Sequence, residues 1–176
     1  MPVKIVIADD HDVVRQGLRT LLRARPEWQI SAEAANGKEA VEAVRTVAPD
    51  VLILDITMPV MSGLDAMREI GGLQVATRVL IFTMHDSSSL VRAVKDAGAQ
   101  GYVLKSNAAR DLIKAIEALL SGQTFFGSDS ATPDEQSKEK NTGLSFRAAL
   151  QYLGNPGARQ PLKLPAARPY LDPKRG

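Results

Sequence analysis

The chain has 176 residues, a hydrophobic content of 44% and a formal net charge of +2, which suits one domain with an additional segment. It contains no cysteine, which excludes disulfides and thiolate metal sites, and no apolar stretch has the length of a membrane span. No basic region followed by a long apolar region opens the sequence. We therefore expect a cytoplasmic protein that does not bind membranes.

Apolar runs alternate with segments of helical periodicity, and together they predict five strand–helix repeats. The predicted strands are Val3–Ala8, Gln29–Ala34, Val51–Leu54, Arg78–Phe82 and Gly101–Leu104. The third run is apolar at every position, as expected for a central strand that is covered on both faces. This order predicts an α/β fold, a doubly wound (βα)5 parallel sheet, in a domain that spans residues 1–126.

Charged and polar residues follow four of the predicted strands. They are Asp9 and Asp10 after the first strand, Asp55 after the third, Thr83 after the fourth and Lys105 after the fifth. Right-handed crossovers place the carboxyl ends of parallel strands at one edge of the sheet, where ligands bind. We therefore expect a charged pocket at that edge.

Three carboxylates in such a pocket repel one another, by about 3–4 kcal/mol for each close pair at an effective dielectric constant of about 20. A hard divalent ion such as Mg²⁺ removes the conflict because it prefers oxygen ligands. One carboxylate can then act as a nucleophile toward phosphorus while the ion and Lys105 neutralise the phosphoryl oxygens. The pattern thus predicts a pocket for Mg²⁺ and a phosphoryl group.

Four motifs resemble those of a known family. The segments Ala8–His11, Asp55–Gly63, Thr83–His85 and Gly101–Ser106 resemble the receiver domain of two-component response regulators. The opening Ala8–His11 together with Val14–Leu18 is similar to the NarL/FixJ subfamily. The resemblance extends from residue 3 to about residue 126 and implies a flavodoxin-like receiver fold, a sensor histidine kinase as partner, and transcriptional regulation as the family role.

The resemblance also implies a role for each matching residue. Asp55 would be the phosphoacceptor, Asp10 would bind Mg²⁺ directly, Asp9 would help through a water, and the backbone carbonyl of Thr57 would be a further ligand. Lys105 would pair with the phosphoryl oxygens.

Two further residues are implied in the switch that follows phosphorylation. Thr83 would move toward the phosphoryl group and Tyr102 would rotate inward behind it. This would reshape the face of the fourth helix, fifth strand and fifth helix, the usual dimerisation surface. Thr57 and His85 occupy positions that in this family tune the lifetime of the aspartyl phosphate.

Other polar residues near these motifs receive plainer interpretations. His11 and His85 are not spaced as a metal-binding pair, so we interpret both as polar loop residues, with His85 near the site. Asp12 is interpreted as a first-turn carboxylate favoured by the helix dipole, and Asp65 as a residue on a helix surface.

The end of the chain departs from the subfamily, whose members usually carry a DNA-binding helix-turn-helix domain. Residues 127–142 are interpreted as a flexible linker, and Gly143–Leu153 weakly resembles the first helix of the output domain. Prolines recur through residues 156–176, at Pro156, Pro161, Pro165, Pro169 and Pro173, a spacing that no helix survives. We therefore expect residues 143–176 to be a largely irregular remnant of that domain without an identifiable DNA-binding residue. The alternative is a proline-rich tail that binds a partner in extended form.

Three other functions compete with the phosphorylation switch. Phosphohydrolases with an aspartyl nucleophile need a second Asp two residues later, where this chain has Thr57, so we expect no enzymatic turnover on outside substrates. A flavin or nucleotide binder needs a phosphate-cradling loop after the first strand, where Asp9 and Asp10 would repel phosphate. A stand-alone receiver that acts by protein–protein interaction remains open, because the DNA-binding domain is incomplete.

Overall fold

The computed structural model describes residues 1–126 of the chain, which form one sheet covered by helices on both faces. The strands are β1 (Val3–Ala8), β2 (Trp28–Ala34), β3 (Val51–Leu54), β4 (Arg78–Thr83), β5 (Gly101–Leu104) and β6 (Phe125–Phe126). The helices are α1 (Asp12–Leu22), α2 (Gly37–Val47), α3 (Gly63–Gly71), α4 (Ser88–Asp96) and α5 (Ala108–Leu120). A single 3-10 turn, Lys105–Asn107, joins β5 to α5. The predicted linker 127–142 and segment 143–176 lie outside the described residues.

All neighbouring strands are parallel, in the order β2-β1-β3-β4-β5-β6. The chain therefore runs outward from β1 to β2, returns to β3, and continues outward on the other side, which confirms the predicted doubly wound sheet. The sequence did not predict β6. This strand has only two residues, which pair with Gly101 and Tyr102 of β5, and two residues are too few to show a periodic pattern.

The core consists of two apolar layers, one on each face of the sheet. Alternation along β3 shows the division, since Leu52 and Leu54 point into the layer under α2, α3 and α4. Val51 and Ile53 point into the layer under α1 and α5. All four side chains are buried, which explains why this strand lacks the polar positions of a half-exposed strand.

Local side-chain contacts fix where two helices begin. At α2 the Asn36 side chain accepts from the Glu39 amide at 3.0 Å, and the Glu39 carboxylate accepts from the Ala35 amide at 2.8 Å. At α3 the Ser62 hydroxyl accepts from the Asp65 amide at 3.2 Å and donates to the Asp65 carboxylate at 2.7 Å. Both are N-caps, in which a short polar side chain accepts from the amide three residues later and the acid at that position returns a contact to the cap region.

The loop from β3 to α3 folds back tightly on the end of β3. The Gly63 amide donates to the Ile56 carbonyl at 2.8 Å, and a Cβ atom on Gly63 would lie 1.9 Å from the Asp55 carbonyl oxygen. Only glycine fits at this position, so the loop returns directly beside Asp55. No helix among residues 1–126 is both long enough and apolar enough to cross a membrane.

Candidate functional site

The ends of β1 and β3 meet at the point where the strand order reverses. Ala8 is paired with Leu54, and the Asp55 amide donates to the Ala8 carbonyl at 2.9 Å. The next residues along each strand are therefore side by side, and both Asp9 and Asp55 are buried, with 1% and 4% of their surface exposed. Two buried carboxylates at one edge require compensation by a cation.

Lys105 provides a positive charge between these two carboxylates. Its Nζ lies 2.8 Å from Asp55 Oδ2, in a hydrogen bond, and 2.6 Å from Asp9 Oδ2, in an ion pair. Lys105 is the first residue after β5, while the two acids directly follow β1 and β3. The structure thus brings together three side chains that lie far apart in the sequence.

Burial and charge act in opposite directions on these groups. Burial raises the pKa of the Asp55 carboxyl above its usual range, and the hydrogen bond from Lys105 offsets only part of that rise. Burial lowers the pKa of the Lys105 ammonium, but its contacts with Asp55 and Asp9 outweigh burial, so that this pKa is raised overall. The lysine therefore stays charged, and the pocket favours an additional positive charge near Asp55.

The acidic cluster has the ligand chemistry of a divalent-cation site. Ligand atoms of Asp9, Asp10, His11 and Asp55 all lie within 4.8 Å of one another. Asp9 Oδ2 is buried, and the Lys105 ammonium at 2.6 Å compensates its charge. The single charge of Lys105 does not balance three clustered carboxylates, and carboxylate oxygens are the ligands that a hard ion such as Mg²⁺ prefers.

His11 is the member of this cluster that sequence reasoning left out. Its Nδ1 lies 2.8 Å from Asp10 Oδ1 and 3.4 Å from Asp9 Oδ1, although its side chain is largely exposed. The interpretation as a plain polar loop residue missed these contacts. The sequence feature that could have indicated this role is the position of His11 directly after Asp9 and Asp10. In the structure, the Asp9 carboxylate also accepts from the His11 amide at 2.9 Å.

A second set of predicted residues meets around His85. The His85 amide donates to Thr83 Oγ1 at 3.3 Å, and its Nε2 lies 3.3 Å from Thr57 Oγ1. The Tyr102 hydroxyl donates to the His85 carbonyl. His85 therefore links the loops after β3 and β4 with the aromatic side chain of β5.

Tyr102 and Thr83 are both buried in this structure. Burial, with a smaller contribution from the negative charge of Asp86, raises the pKa of the Tyr102 hydroxyl to about 12. The buried Tyr102 side chain thus holds the loop after β4 through its bond to the His85 carbonyl.

The fold and the pocket together define a class of protein, namely doubly wound α/β domains with an acidic, lysine-containing pocket at the strand-order reversal. Comparison with known proteins identifies the family within this class. Residues 5–117 match the family model of the response regulator receiver domain. The chain therefore belongs to the response regulator receiver domain family.

Individual relatives agree with this assignment. The oxygen regulatory protein NreC of Staphylococcus epidermidis is 42% identical over 124 residues, which cover 70% of this chain and 57% of that protein. The nitrate/nitrite response regulator protein NarP of Escherichia coli is 38% identical over 125 residues, which cover 71% of this chain and 58% of that protein. The resemblance to the NarL group is thus confirmed, and the matches span little more than half of these relatives.

A solved structure shows the same fold at similar identity. The two-component response regulator of the LuxR family from Aurantimonas sp. SI85-9A1 is 40% identical to this chain with a TM-score of 0.70. The match covers 74% of this chain and 94% of that one. The flavodoxin-like receiver fold that the motifs implied is therefore confirmed.

Proposed function

We propose that this chain is a phosphorylation-activated response regulator in which Asp55 accepts the phosphoryl group from a sensor histidine kinase. The supporting observation is the position of Asp55, which is buried at the strand-order reversal beside Lys105, the lysine that also pairs with Asp9. The two oxygens of Asp55 have different partners, because Oδ1 accepts from the Ile56 amide at 2.7 Å and Oδ2 accepts from Lys105. These two bonds fix the orientation of the carboxylate.

In the proposed transfer, one carboxylate oxygen of Asp55 attacks the phosphorus of a phosphohistidine. The new O–P bond forms as the N–P bond breaks, and the electron pair of that bond leaves with the imidazole, which then takes a proton. Lys105 is already within hydrogen-bond distance of the attacking carboxylate, so its charge meets the arriving phosphoryl oxygens.

Asp9, Asp10 and Asp55, with the backbone carbonyl of Thr57, are the groups that we propose to hold Mg²⁺. When bound, the ion would supply positive charge that offsets the repulsion among the carboxylates and polarises the phosphoryl group. The assignment is supported by the clustering of the three carboxylates, whose ligand atoms lie within 4.8 Å of one another.

Thr83 and Tyr102 are proposed as the switch residues, and Thr57 and His85 as the residues that tune the lifetime of the aspartyl phosphate. The Thr83 hydroxyl now accepts from the His85 amide, so its own proton can be donated to a phosphoryl oxygen. A phosphoryl group adds about −1.5 to −2 charges, which is enough to draw such donors toward it. The contacts of His85 then transmit the change to Tyr102 on β5.

For the whole protein we propose transcriptional regulation, in the cytoplasm, through a homodimer formed by the face of α4, β5 and α5. Relatives carry the names of response and transcriptional regulators, and the RcsB response regulator, 27% identical, has been solved as two dimers bound to DNA. The second candidate is a stand-alone receiver that acts by protein–protein contact.

Incubation with Mg²⁺ and acetyl phosphate tests the proposal. We expect mass spectrometry to show one labile phosphoryl adduct on the wild-type protein and none on Asp55→Asn. Asp65→Asn is the matched control, because Asp65 is an acid on α3 outside the pocket, and it should be labelled like the wild type. A persistent adduct in Asp55→Asn would remove Asp55 from its proposed role.

A further inference from the structure

A guanidinium group outside the acidic cluster holds the backbone between its two adjacent aspartates. Arg15 lies near the start of α1, and its Nη1 donates to the Asp9 carbonyl oxygen at 2.7 Å. That carbonyl belongs to the planar peptide that joins Asp9 to Asp10. A rotation of this peptide would change the directions of both side chains, so the contact with Arg15 bears on both carboxylates.

Two other atoms of Asp9 are also anchored. Its amide donates to the Ala34 carbonyl at 3.1 Å, and its Oδ1 accepts from the His11 amide at 2.9 Å. The hydrogen bond from Arg15 to the carbonyl completes this set. The Asp9 amide anchors the preceding peptide, whereas the bond from Arg15 anchors the carbonyl of the peptide between the two aspartates.

Arg15 is itself held in place by two acids. Its Nε donates to Glu33 at 3.1 Å and its Nη2 donates to Asp12 at 2.9 Å, and its side chain is only 16% exposed. Each guanidinium nitrogen thus has one partner in a fixed planar arrangement, which the single ammonium of lysine cannot reproduce. Because two carboxylates balance its charge, Arg15 acts on the pocket through the hydrogen bond to Asp9 rather than through its charge.

We propose that Arg15 is a positioning residue for divalent-cation binding, which aligns the Asp9 and Asp10 carboxylates by fixing the peptide between them. The inference rests on the proposed function for the nature of the ion. Partners that orient metal ligands without touching the metal commonly account for a large part of the affinity.

Calorimetric titration with Mg²⁺ tests this role in the full chain. We expect the dissociation constant to rise by about tenfold in Arg15→Gln. Arg15→Lys should show a similar rise, because its ammonium pairs with the Asp12 or Glu33 carboxylate and releases the neutral Asp9 carbonyl. The Mg²⁺ concentration for half-maximal phosphorylation by acetyl phosphate should rise by the same factor, whereas the rate at saturating Mg²⁺ should return to the wild-type value.

Arg19→Gln is the matched control. Arg19 lies on the same helix and contacts the same Glu33, at 2.6 Å, but makes no contact with Asp9. Its dissociation constant should equal that of the wild type, and an equal loss in both arginine variants would overturn the inference in favour of a general effect of the α1–β2 ion pairs.

Three further results distinguish failure of this inference from failure of the proposed function. Wild-type affinity in both Arg15 variants would overturn the inference and leave the proposed function intact. Absence of Mg²⁺ affinity in the wild type would remove the proposed function and the inference together. If Arg15→Gln fails to fold, as thermal unfolding would reveal, Arg15→Lys alone decides.

Discussion

At the scale of single residues, burial shifts the pKa of the Tyr102 hydroxyl. Its pKa is raised from 10.0 to about 12 because burial disfavours the phenolate. A pKa that is higher in the folded state means that the stability contributed by this group is complete below pH 10.0 and is lost as the pH rises through about 12.

Absorbance titration of the phenolate measures this shift. The chain has 3 tyrosines, so the wild-type curve minus that of Tyr102→Phe isolates the group. We expect the difference curve to show one group that titrates near 12, and the stability of the wild type to fall more steeply than that of the variant in strongly alkaline solution. A difference curve centred on 10.0 would contradict burial of this hydroxyl.

The same scale shows what the sequence could predict of the candidate site. Asp9, Asp55 and Lys105 were predicted to meet because each directly follows a strand, and parallel strands bring their ends together. The contacts of His85 with Thr57 and Tyr102 could not be predicted, because they depend on how two loops fold over the strand ends. The contact of Arg15 with the pocket was also not predicted. Helical periodicity identifies the buried face of α1, whereas this contact is a hydrogen bond to one backbone carbonyl, that of Asp9.

At the scale of elements, the strands with long apolar runs were predictable, and short or strained segments were not. The β3 run of four buried residues indicated a central strand, but β6 depends on pairing with β5 rather than on its own two residues. The β3–α3 loop contains Val60 with φ of 66°. This left-handed conformation is unfavourable for a β-branched residue, and nothing in the residue type indicates it.

Replacement of Val60 by glycine should therefore stabilise the protein. Val60 is 83% exposed, so little packing is lost, and relief of the strain exceeds the entropic cost of glycine for a net gain of about 1 kcal/mol in the free energy of unfolding. Urea denaturation gives the value. Val60→Ala is the control, because its Cβ retains most of the strain. Equal stabilisation in both variants would show that removal of an exposed apolar side chain, not the backbone angle, is responsible.

At the scale of the whole molecule, the acidic pocket joins both halves of the sheet. Asp9 follows β1, Asp55 follows β3 and Lys105 follows β5, so unfolding of the sheet separates the groups. A ligand that binds only the folded state stabilises it by mass action, by about 2.7 kcal/mol at 100 times its dissociation constant. Binding of Mg²⁺ at this pocket should consequently raise the melting temperature of the entire domain.

Asp10→Asn separates this linkage from a general salt effect. The substitution removes one of the clustered negative charges, so the variant should be at least as stable as the wild type without metal but should lose most of the stabilisation by Mg²⁺. Asp96→Asn, at the end of α4 and outside the cluster, should retain the full increase. Thermal unfolding at constant ionic strength measures both. Only a site built from the clustered carboxylates makes the stabilisation by Mg²⁺ depend on Asp10. An equal rise in melting temperature in all three proteins would therefore mean that Mg²⁺ acts on the general surface charge.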